Sequence, residues 1–324
     1  MKKILFYFCF VIILIFVMPM IFTNQFKTQE VLSDKMIVEE KYDYGKFNKI
    51  KLFHNENAEI QELDLDSYLY GVVASEMPAS FEIEALKAQS VVARTYTIYQ
   101  MKNGKKHENA DICDSANCCQ AWISKENRFA RWEEKSQVEY WNKIVQAVND
   151  TKGKLIFYNG EPINALFHSN SGGVTELSIN VWGGFFPYFQ TVETSGEDAY
   201  SSYNSEVELS KDELIKIMLE KHSDFNIDFE KEDCIKITEY TESGRIQKIK
   251  IGNTEINGIE ARSNFGLKST KFNFEIFENS VKFNVIGYGH GVGLSQCGSD
   301  ALAKNGMKYD EIIKYYYKDV AISE

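Results

Sequence analysis

DLDSYLYGVVASEMPASFEIEALKAQSVVARTYTIYQ, at positions 64–100, predicts two helices separated by a sharp stop. Apolar residues recur at helical spacing from Leu65 onward, which is typical of a helix with one buried face. Because Pro78 disfavours helical dihedrals at the residue before it, the first helix is expected to end near Glu76. Ser80 is then expected to cap the second helix.

Glu76 occupies the next position of the apolar stripe, seven residues after Leu69. Burial disfavours an ionised carboxyl and raises its pKa, so a proton stays available for donation near neutral pH. A glycosidic oxygen is a poor leaving group until such an acid protonates it. The residues alone leave a second interpretation open, in which Glu76 lies in water at a frayed helix end.

The segments YLYGVVASEMP and EALKAQSVVARTY resemble the signature of the stage II sporulation protein D family. That family comprises membrane-anchored lytic transglycosylases, and the related amidase-enhancer proteins share much of the signature. The resemblance continues to the last residues of the chain. It implies that Glu76 is the catalytic acid/base and that Lys87 and Arg94 are basic residues of the same substrate groove.

The N-terminus carries a run of apolar residues, 4–22, after two lysines. This length is sufficient to cross a bilayer as a helix. The lysines place the tip, 1–3, in the cytoplasm and the rest of the chain outside. A cleaved signal peptide is the alternative, although the run is long for one and no small-x-small site follows. Residues 23–45 are predicted to be a polar tether, and 46–324 a single folded domain.

Composition limits the function classes. The chain has 324 residues, of which 44% are hydrophobic and 26% charged, as in an ordinary globular protein. Its formal net charge is −11, which argues against nucleic acid as a partner, because nucleic-acid binders normally carry a basic face.

An insertion at 105–120 places His107, Cys113, Cys118 and Cys119 close together in sequence. Cysteine and histidine are the ligands of tetrahedral zinc sites. The residues alone also allow one disulfide with a spare thiol, since the region is predicted to be extracytoplasmic. A zinc hydrolase is disfavoured, because four protein ligands would leave no open position for water.

Some clostridial members of the resembled family bind zinc in this region through two histidines and two cysteines. His107, Cys113 and Cys119 match that set, whereas Cys118 stands where a histidine would be. The replacement is conservative because thiolate is also a good zinc ligand. The resemblance therefore implies one structural Zn²⁺.

The segment HSNSGG, 168–173, follows a predicted hairpin whose turn is Asn159-Gly160. No G-x-S-x-G elbow is present to support a serine hydrolase. The resemblance implies that this segment lines the substrate groove, with His168 and Ser171 as contacts. A tight turn with a hydrogen-bonded histidine is the alternative.

A second glycine-rich segment, GYGHGVGLSQ, lies at 287–296. Its glycine spacing fits neither the dinucleotide nor the P-loop template, which excludes a nucleotide site of either kind. His290 and Gln296 have side chains that can bond sugar hydroxyls or an N-acetyl group. The resemblance implies that this loop returns beside the helical pair and brings both residues toward Glu76.

The sequence thus predicts a single α+β extracytoplasmic domain, with the helical pair packed on twisted β-strands and one transmembrane helix before it. The resemblance implies cleavage of the linkage between N-acetylmuramic acid and N-acetylglucosamine in glycan strands stripped of stem peptides, giving 1,6-anhydro products. The alternative function is a non-catalytic glycan-binding enhancer of a cell-wall amidase.

The resemblance also implies a biological setting, which is forespore engulfment during sporulation. The domain would lie on the mother-cell membrane and face the septal space. The implied partners are peptidoglycan glycan strands, the amidase/endopeptidase stage II sporulation protein P and the membrane scaffold stage II sporulation protein M.

Overall fold

The computed structural model describes residues 44–104 and 106–323. The predicted cytoplasmic tip, membrane helix and nearly all of the tether lie outside these residues. Within them, every helix is too short or too polar to span a bilayer. Tyr44–Glu324 forms one compact unit by itself.

Helices and strands are mixed along the described chain, which confirms the predicted α+β class. The α-helices are α1 (Leu65–Glu76), α2 (Ile83–Asn103), α3 (Lys125–Phe129), α4 (Glu134–Asp150), α5 (Ser178–Trp182), α6 (Lys211–Lys221), α7 (Gly258–Asn264), α8 (Gln296–Lys304) and α9 (Tyr309–Tyr316). The strands are β1 (Lys49–Phe53), β2 (Ile60–Asp64), β3 (Ile112–Cys113), β4 (Leu155–Tyr158), β5 (Glu161–Pro162), β6 (Phe167–His168), β7 (Asn204–Ser210), β8 (Ile235–Tyr240), β9 (Ile246–Ile251), β10 (Thr254–Asn257), β11 (Phe272–Ile276), β12 (Ser280–Ile286), β13 (Leu294–Ser295) and β14 (Ala321–Ser323).

The predicted helix–stop–helix unit is confirmed. Helix α1 ends at Glu76, and Met77 is extended, with φ −121° and ψ 143°, as expected before a proline. The predicted cap of the second helix is wrong. Ser80 lies in a turn and α2 begins at Ile83 with Glu82 at the N-cap position. The backbone N–H of Glu82 donates to Asp300 Oδ1 at 2.6 Å, so a contact distant in sequence fixes this helix start.

Helix α2 is the central element of the unit that it shares with α1. Most of its residues are buried, and it contacts α1, α4, α8 and α9. The predicted packing on β-strands is also present, because α1 contacts β1 and β2 while α2 contacts β3, β4 and β5. These strands are short and belong to two small sheets, of order β2-β1-β3 and β14-β4-β5.

A separate apolar core lies in the region 204–286. Two three-stranded sheets, of order β11-β12-β7 and β10-β9-β8, enclose it together with α6 and α7. Met218, Ile249 and Phe283 are fully buried there. The β8–β9 hairpin turns at 242–244, as the sequence indicates, and Gly244 supplies the positive φ of 75°.

The two glycine-rich segments lie side by side. Strand β6 pairs in parallel with β13, so that His168 is opposite Ser295, and Asn170 bridges to Tyr288. Gly289 has a φ of 117°, and a Cβ there would lie 2.7 Å from the Cβ of His168. Glycine is therefore required for this close approach of the two segments.

Candidate active site

Glu76 is the last residue of α1, and its side chain is only partly accessible. Its Oε1 accepts a hydrogen bond of 2.6 Å from the backbone N–H of Ala121. Burial raises the pKa of Glu76 to about 7, against the opposing effects of the hydrogen bonds from Ala121 and from the Gln296 side chain. The carboxyl is therefore protonated in a large fraction of molecules at neutral pH.

Gln296 is brought next to Glu76 by the first turn of α8. It is the first residue of that helix and is nearly fully buried. Its side-chain amide bonds the carboxyl of Glu76, and its Nε2 lies 3.5 Å from Gln89 Oε1 on α2. The predicted approach of Gln296 to Glu76 is thus present, and in this structure the side chain orients the carboxyl.

The backbone donor from Ala121 depends on a close approach of 121–123 to α1. Gly71 makes this approach possible, because a Cβ there would overlap the indole nitrogen of Trp122 and lie 2.7 Å from the carbonyl oxygen of Ile123. The N–H of Ile123 also donates to the Gly71 carbonyl at 3.3 Å. A side chain at position 71 would push the segment away from Glu76.

The predicted metal ligands assemble close to this segment. One ligand atom from each of His107, Cys113, Cys118 and Cys119 lies within 4.8 Å of the others. The Nε2 of His107 is 3.6 Å from Cys118 Sγ and 3.8 Å from Cys119 Sγ. All four side chains offer donors that zinc prefers, so the residues present fit one tetrahedral ion. The alternative of a disulfide is not found, since all three cysteines are free thiols.

The ligand cluster and Glu76 are joined by a short, well-anchored segment. Cys119 precedes Ala121 by two residues, and Gln120 between them is buried. Its Nε2 donates to the hydroxyl of Tyr68 at 2.9 Å and to Thr97 Oγ1 at 2.8 Å. The insertion is therefore tied to both helices of the pair, immediately beside the residue that bonds Glu76.

Arg94, predicted to be a basic residue of the substrate groove, is fully buried in this structure. Its guanidinium donates to the Thr151 carbonyl at 2.8 Å and the Val148 carbonyl at 3.0 Å, at the end of α4. Asp66, in the first turn of α1, lies 3.7 Å away. Arg94 thus joins α1, α2 and α4 inside the core.

Lys87 is more accessible but has two carboxylate partners. Its Nζ lies 3.2 Å from Glu84 and 3.0 Å from Asp150. The charge of Lys87 is therefore already balanced by neighbouring groups. This balance weakens the predicted interaction with a substrate carboxylate.

The two histidines form one contact group with Trp182. The rings of His168 and His290 are 5.6 Å apart, and Trp182 is 4.9 Å from His290. His168 is 4% exposed, and its Nδ1 donates to the Val292 carbonyl at 3.1 Å. Burial lowers the pKa of His168 to about 3 and also lowers the pKa of His290 well below its usual value. Both rings are neutral at physiological pH and suit hydrogen bonding rather than proton transfer.

Ser171, a predicted substrate contact, is fully buried in this structure and bonds groups of the protein. Its hydroxyl bonds Thr194 and donates to Glu197 Oε2 at 2.6 Å. Glu197 also accepts from the backbone N–H groups of Ser171 and Gly173, and from Ser295 at the start of α8. This carboxylate fixes the loop that leads into Gln296.

Sequence reasoning missed three contributors to the site, namely Ala121, Gln89 and Glu197. Ala121 acts through its backbone, which no residue type indicates. Glu197 lies in a polar stretch without periodicity and resembles an ordinary surface carboxyl. Only the pattern at Gln89, a polar residue within a buried helical stretch, offered a signal.

The site thus consists of a helical pair that carries a half-buried carboxyl, and a cysteine-rich insertion and a glycine-rich loop lie beside it. A family model described as "Stage II sporulation protein" matches residues 54–158. Stage II sporulation protein D of Bacillus subtilis (strain 168) is 31% identical over 280 residues, which cover 85% of this chain and 79% of that protein. The same protein of Bacillus amyloliquefaciens is 29% identical and covers 85% of this chain and 78% of its own length.

The chain belongs to the stage II sporulation protein D family, a family of sporulation proteins. It is also related to the amidase enhancer of Bacillus subtilis (strain 168). That protein is 27% identical over 303 residues, which cover 79% of this chain and 40% of the enhancer.

Proposed function

We propose that this protein is a lytic transglycosylase that cleaves peptidoglycan glycan strands lacking stem peptides. The observation that carries the proposal is the environment of the Glu76 carboxyl. This carboxyl has a pKa of about 7 and two hydrogen-bond donors aimed at it. Such a group can release a proton and take one back near neutral pH.

In the first step, protonated Glu76 donates its proton to the oxygen that links C1 of N-acetylmuramic acid to N-acetylglucosamine. The bond between C1 and that oxygen breaks, and the N-acetylglucosamine hydroxyl leaves. The Glu76 carboxylate that results accepts hydrogen bonds from the Ala121 N–H and the Gln296 amide. These preformed donors stabilise the charge as it develops.

In the second step, the Glu76 carboxylate takes the proton of the muramic C6 hydroxyl, and the C6 oxygen bonds to C1. This closes the 1,6-anhydro ring and returns Glu76 to its protonated form, so no water is consumed. One carboxyl is enough, because the substrate supplies its own nucleophile. An ordinary glycosidase needs a second carboxyl for that role or to activate water.

The cysteine-rich insertion supports the site in this proposal. His107, Cys113, Cys118 and Cys119 would hold one Zn²⁺, whose chemistry is that of a structural cross-link. The same residues lie next to Gln120 and Ala121, which bond the helical pair and Glu76. We therefore assign the insertion to the positioning of the Ala121 N–H.

Membership of the stage II sporulation protein D family supports a proposed biological setting. We infer that the domain is anchored by the apolar run 4–22 with its N-terminus in the cytoplasm, and that it acts outside the membrane during engulfment. The similarity to an amidase enhancer supports a cell-wall amidase as partner. Stage II sporulation proteins P and M are the proposed partners, the first supplying peptide-free strands.

The test compares the full chain with its Glu76→Gln variant on purified denuded strands, with mass spectrometry of the products. The parent is expected to produce anhydro-muramic ends and Glu76→Gln none. Glu82→Gln is the matched control, because it removes an exposed carboxyl six residues away. Equal product from parent and Glu76→Gln would overturn the proposal.

The second candidate, a non-catalytic enhancer of a cell-wall amidase, is favoured by the similarity to the amidase enhancer. It predicts that the chain binds strands without cleaving them and accelerates a partner amidase. It also predicts that Glu76→Gln stimulates the amidase as well as the parent does. Stimulation that falls with loss of Glu76 would exclude it.

A further inference from the structure

A cavity of about 250 Å³ lies beside the glycine-rich loop. It is formed by α5, the β8–β9 hairpin, α7 and His290, and residues on its wall include Glu176, Asn180, Gln247, Asn257, Arg262 and His290. His290 and Gln296 belong to one loop and are six residues apart. The cavity wall therefore lies within about 20 Å of the group that bonds Glu76, since an extended residue spans about 3.3–3.6 Å.

Arg262 is the distinctive group on this wall. It is half-buried, and its Nε donates a long hydrogen bond of 3.4 Å to the Leu267 carbonyl. No carboxylate of residues 44–104 and 106–323 forms an ion pair with it. Burial lowers the pKa of Arg262, because the cation has lost water without gaining a counter-ion.

The two basic residues that the sequence predicts for the substrate groove have carboxylate partners. Lys87 is paired with Glu84 and Asp150, and Arg94 lies against Asp66. Neither is therefore suited to receive a carboxylate from a substrate. Arg262 has both an accessible cavity and an unmatched charge.

Glu176 is the acidic group of the cavity, and its charge is already satisfied. Its Oε1 accepts from the Leu177 N–H and the Asn180 amide. Its Oε2 accepts from the hydroxyls of Thr241 and Ser243. The nearby guanidinium of Arg245 compensates the charge, so Glu176 does not serve as the counter-ion of Arg262.

Side chains on the cavity wall and one exposed ring that packs on this wall suit a sugar. Trp182 is 53% exposed and packs on His290, which lines the cavity. Exposed indole rings can pack against the apolar face of a pyranose, while the Gln247 and Asn257 amides can bond its polar substituents.

We propose that this cavity is a subsite for N-acetylmuramic acid and that Arg262 binds the free lactyl carboxylate of that sugar. The proposal rests on the proposed function. In an intact strand the lactyl group is joined to the stem peptide as an amide, which has no charge. An amidase hydrolyses that amide with water and leaves the carboxylate on the sugar. Arg262 thus distinguishes denuded strands from peptide-bearing ones by charge and by the planar fork of its guanidinium.

The test measures binding in the Glu76→Gln background of the full chain, by saturation-transfer difference NMR. The two ligands are N-acetylmuramic acid and its methylamide, which differ only in the carboxylate. The acid is expected to bind about tenfold more tightly than the amide, as is typical of one charge-assisted contact. Arg262→Gln is expected to abolish this difference while leaving the weak binding of the amide unchanged.

Two further variants secure the interpretation. Lys268→Gln removes an exposed cation that lies over Tyr288 and is not on the cavity wall, and it should keep the discrimination. Arg262→Lys keeps the charge and should keep part of the discrimination between acid and amide. Equal binding of acid and amide by the Glu76→Gln protein, or discrimination that survives Arg262→Gln, would overturn the proposal. This test measures binding and not turnover. Its result therefore stands even if the protein proves not to be a transglycosylase.

Discussion

Glu76 shows how the surroundings of one residue change its acid strength. Its place on an apolar stripe before Pro78 is visible in the sequence and predicts a raised pKa. Its two hydrogen-bond donors come from residues 45 and 220 positions further along the chain. No local pattern predicts those contacts, because they form only when the insertion and α8 pack on α1.

The raised pKa of Glu76 predicts a pH-dependent stability. The folded state keeps its proton up to pH about 7, whereas an unfolded glutamate loses it near the ordinary value of 4.5. The unfolded state therefore binds fewer protons between these values, and the free energy of unfolding falls as the pH rises through this window. Glu76→Gln should equal the parent at pH 4 and exceed it at pH 8 by up to about 3 kcal/mol.

Urea unfolding at the two pH values measures this difference. Glu82→Gln should follow the parent at both, since it changes an exposed carboxyl. A gap between parent and Glu76→Gln that is the same at pH 4 and pH 8 would contradict the assignment of the raised pKa.

We expect Arg94 to act on stability, although the family resemblance places it in the groove. Arg94→Ala leaves the Val148 and Thr151 carbonyls without their donor and Asp66 without its nearby cation. We expect a loss of about 3–5 kcal/mol in the free energy of unfolding, as for other broken buried ion pairs. Lys135→Ala, which removes a cation 81% exposed on α4, the helix whose last carbonyls Arg94 binds, should change it by less than about 0.5 kcal/mol. A stable Arg94→Ala protein with a raised KM would instead indicate a substrate contact.

At the scale of secondary structure, local signals worked where local physics decides. The proline stop after Glu76 and the Asn159-Gly160 turn are both present, and the two turn residues have positive φ of 52° and 78°. The capping prediction at Ser80 failed because Asp300, far along the chain, bonds the N–H of Glu82. Helix starts that depend on tertiary contacts are not visible in a local pattern.

We propose that the role of the insertion depends on a bound metal ion. Purified full chain is expected to contain about one zinc per molecule, and Cys113→Ser is expected to lose it and to melt at a lower temperature. Cys234→Ser is the control, because Cys234 is a buried thiol of the separate core. Elemental analysis and thermal unfolding measure both effects. Zinc retained at full stoichiometry by Cys113→Ser would contradict the ligand set.

At the scale of the whole molecule, the site is assembled from three distant segments. The end of α1 provides Glu76, the insertion provides Ala121, and α8 provides Gln296. Spacing alone could not place these together. The family resemblance supplied the expectation that Gln296 approaches Glu76, and nothing in the sequence indicated Ala121. Burial distinguishes the predicted substrate contacts, because Arg94 and Ser171 are enclosed in this structure. Arg262, which the sequence did not single out, lines a cavity.

In the proposed reaction the muramic C6 hydroxyl, and not water, attacks C1 after Glu76 protonates the leaving oxygen. The most direct measurement digests denuded strands with the full chain in H₂¹⁸O and determines the mass of the new ends. We expect anhydro-muramic ends that contain no ¹⁸O, because no water enters the reaction. Reducing ends that carry one ¹⁸O each would contradict it and would require a second group that activates water.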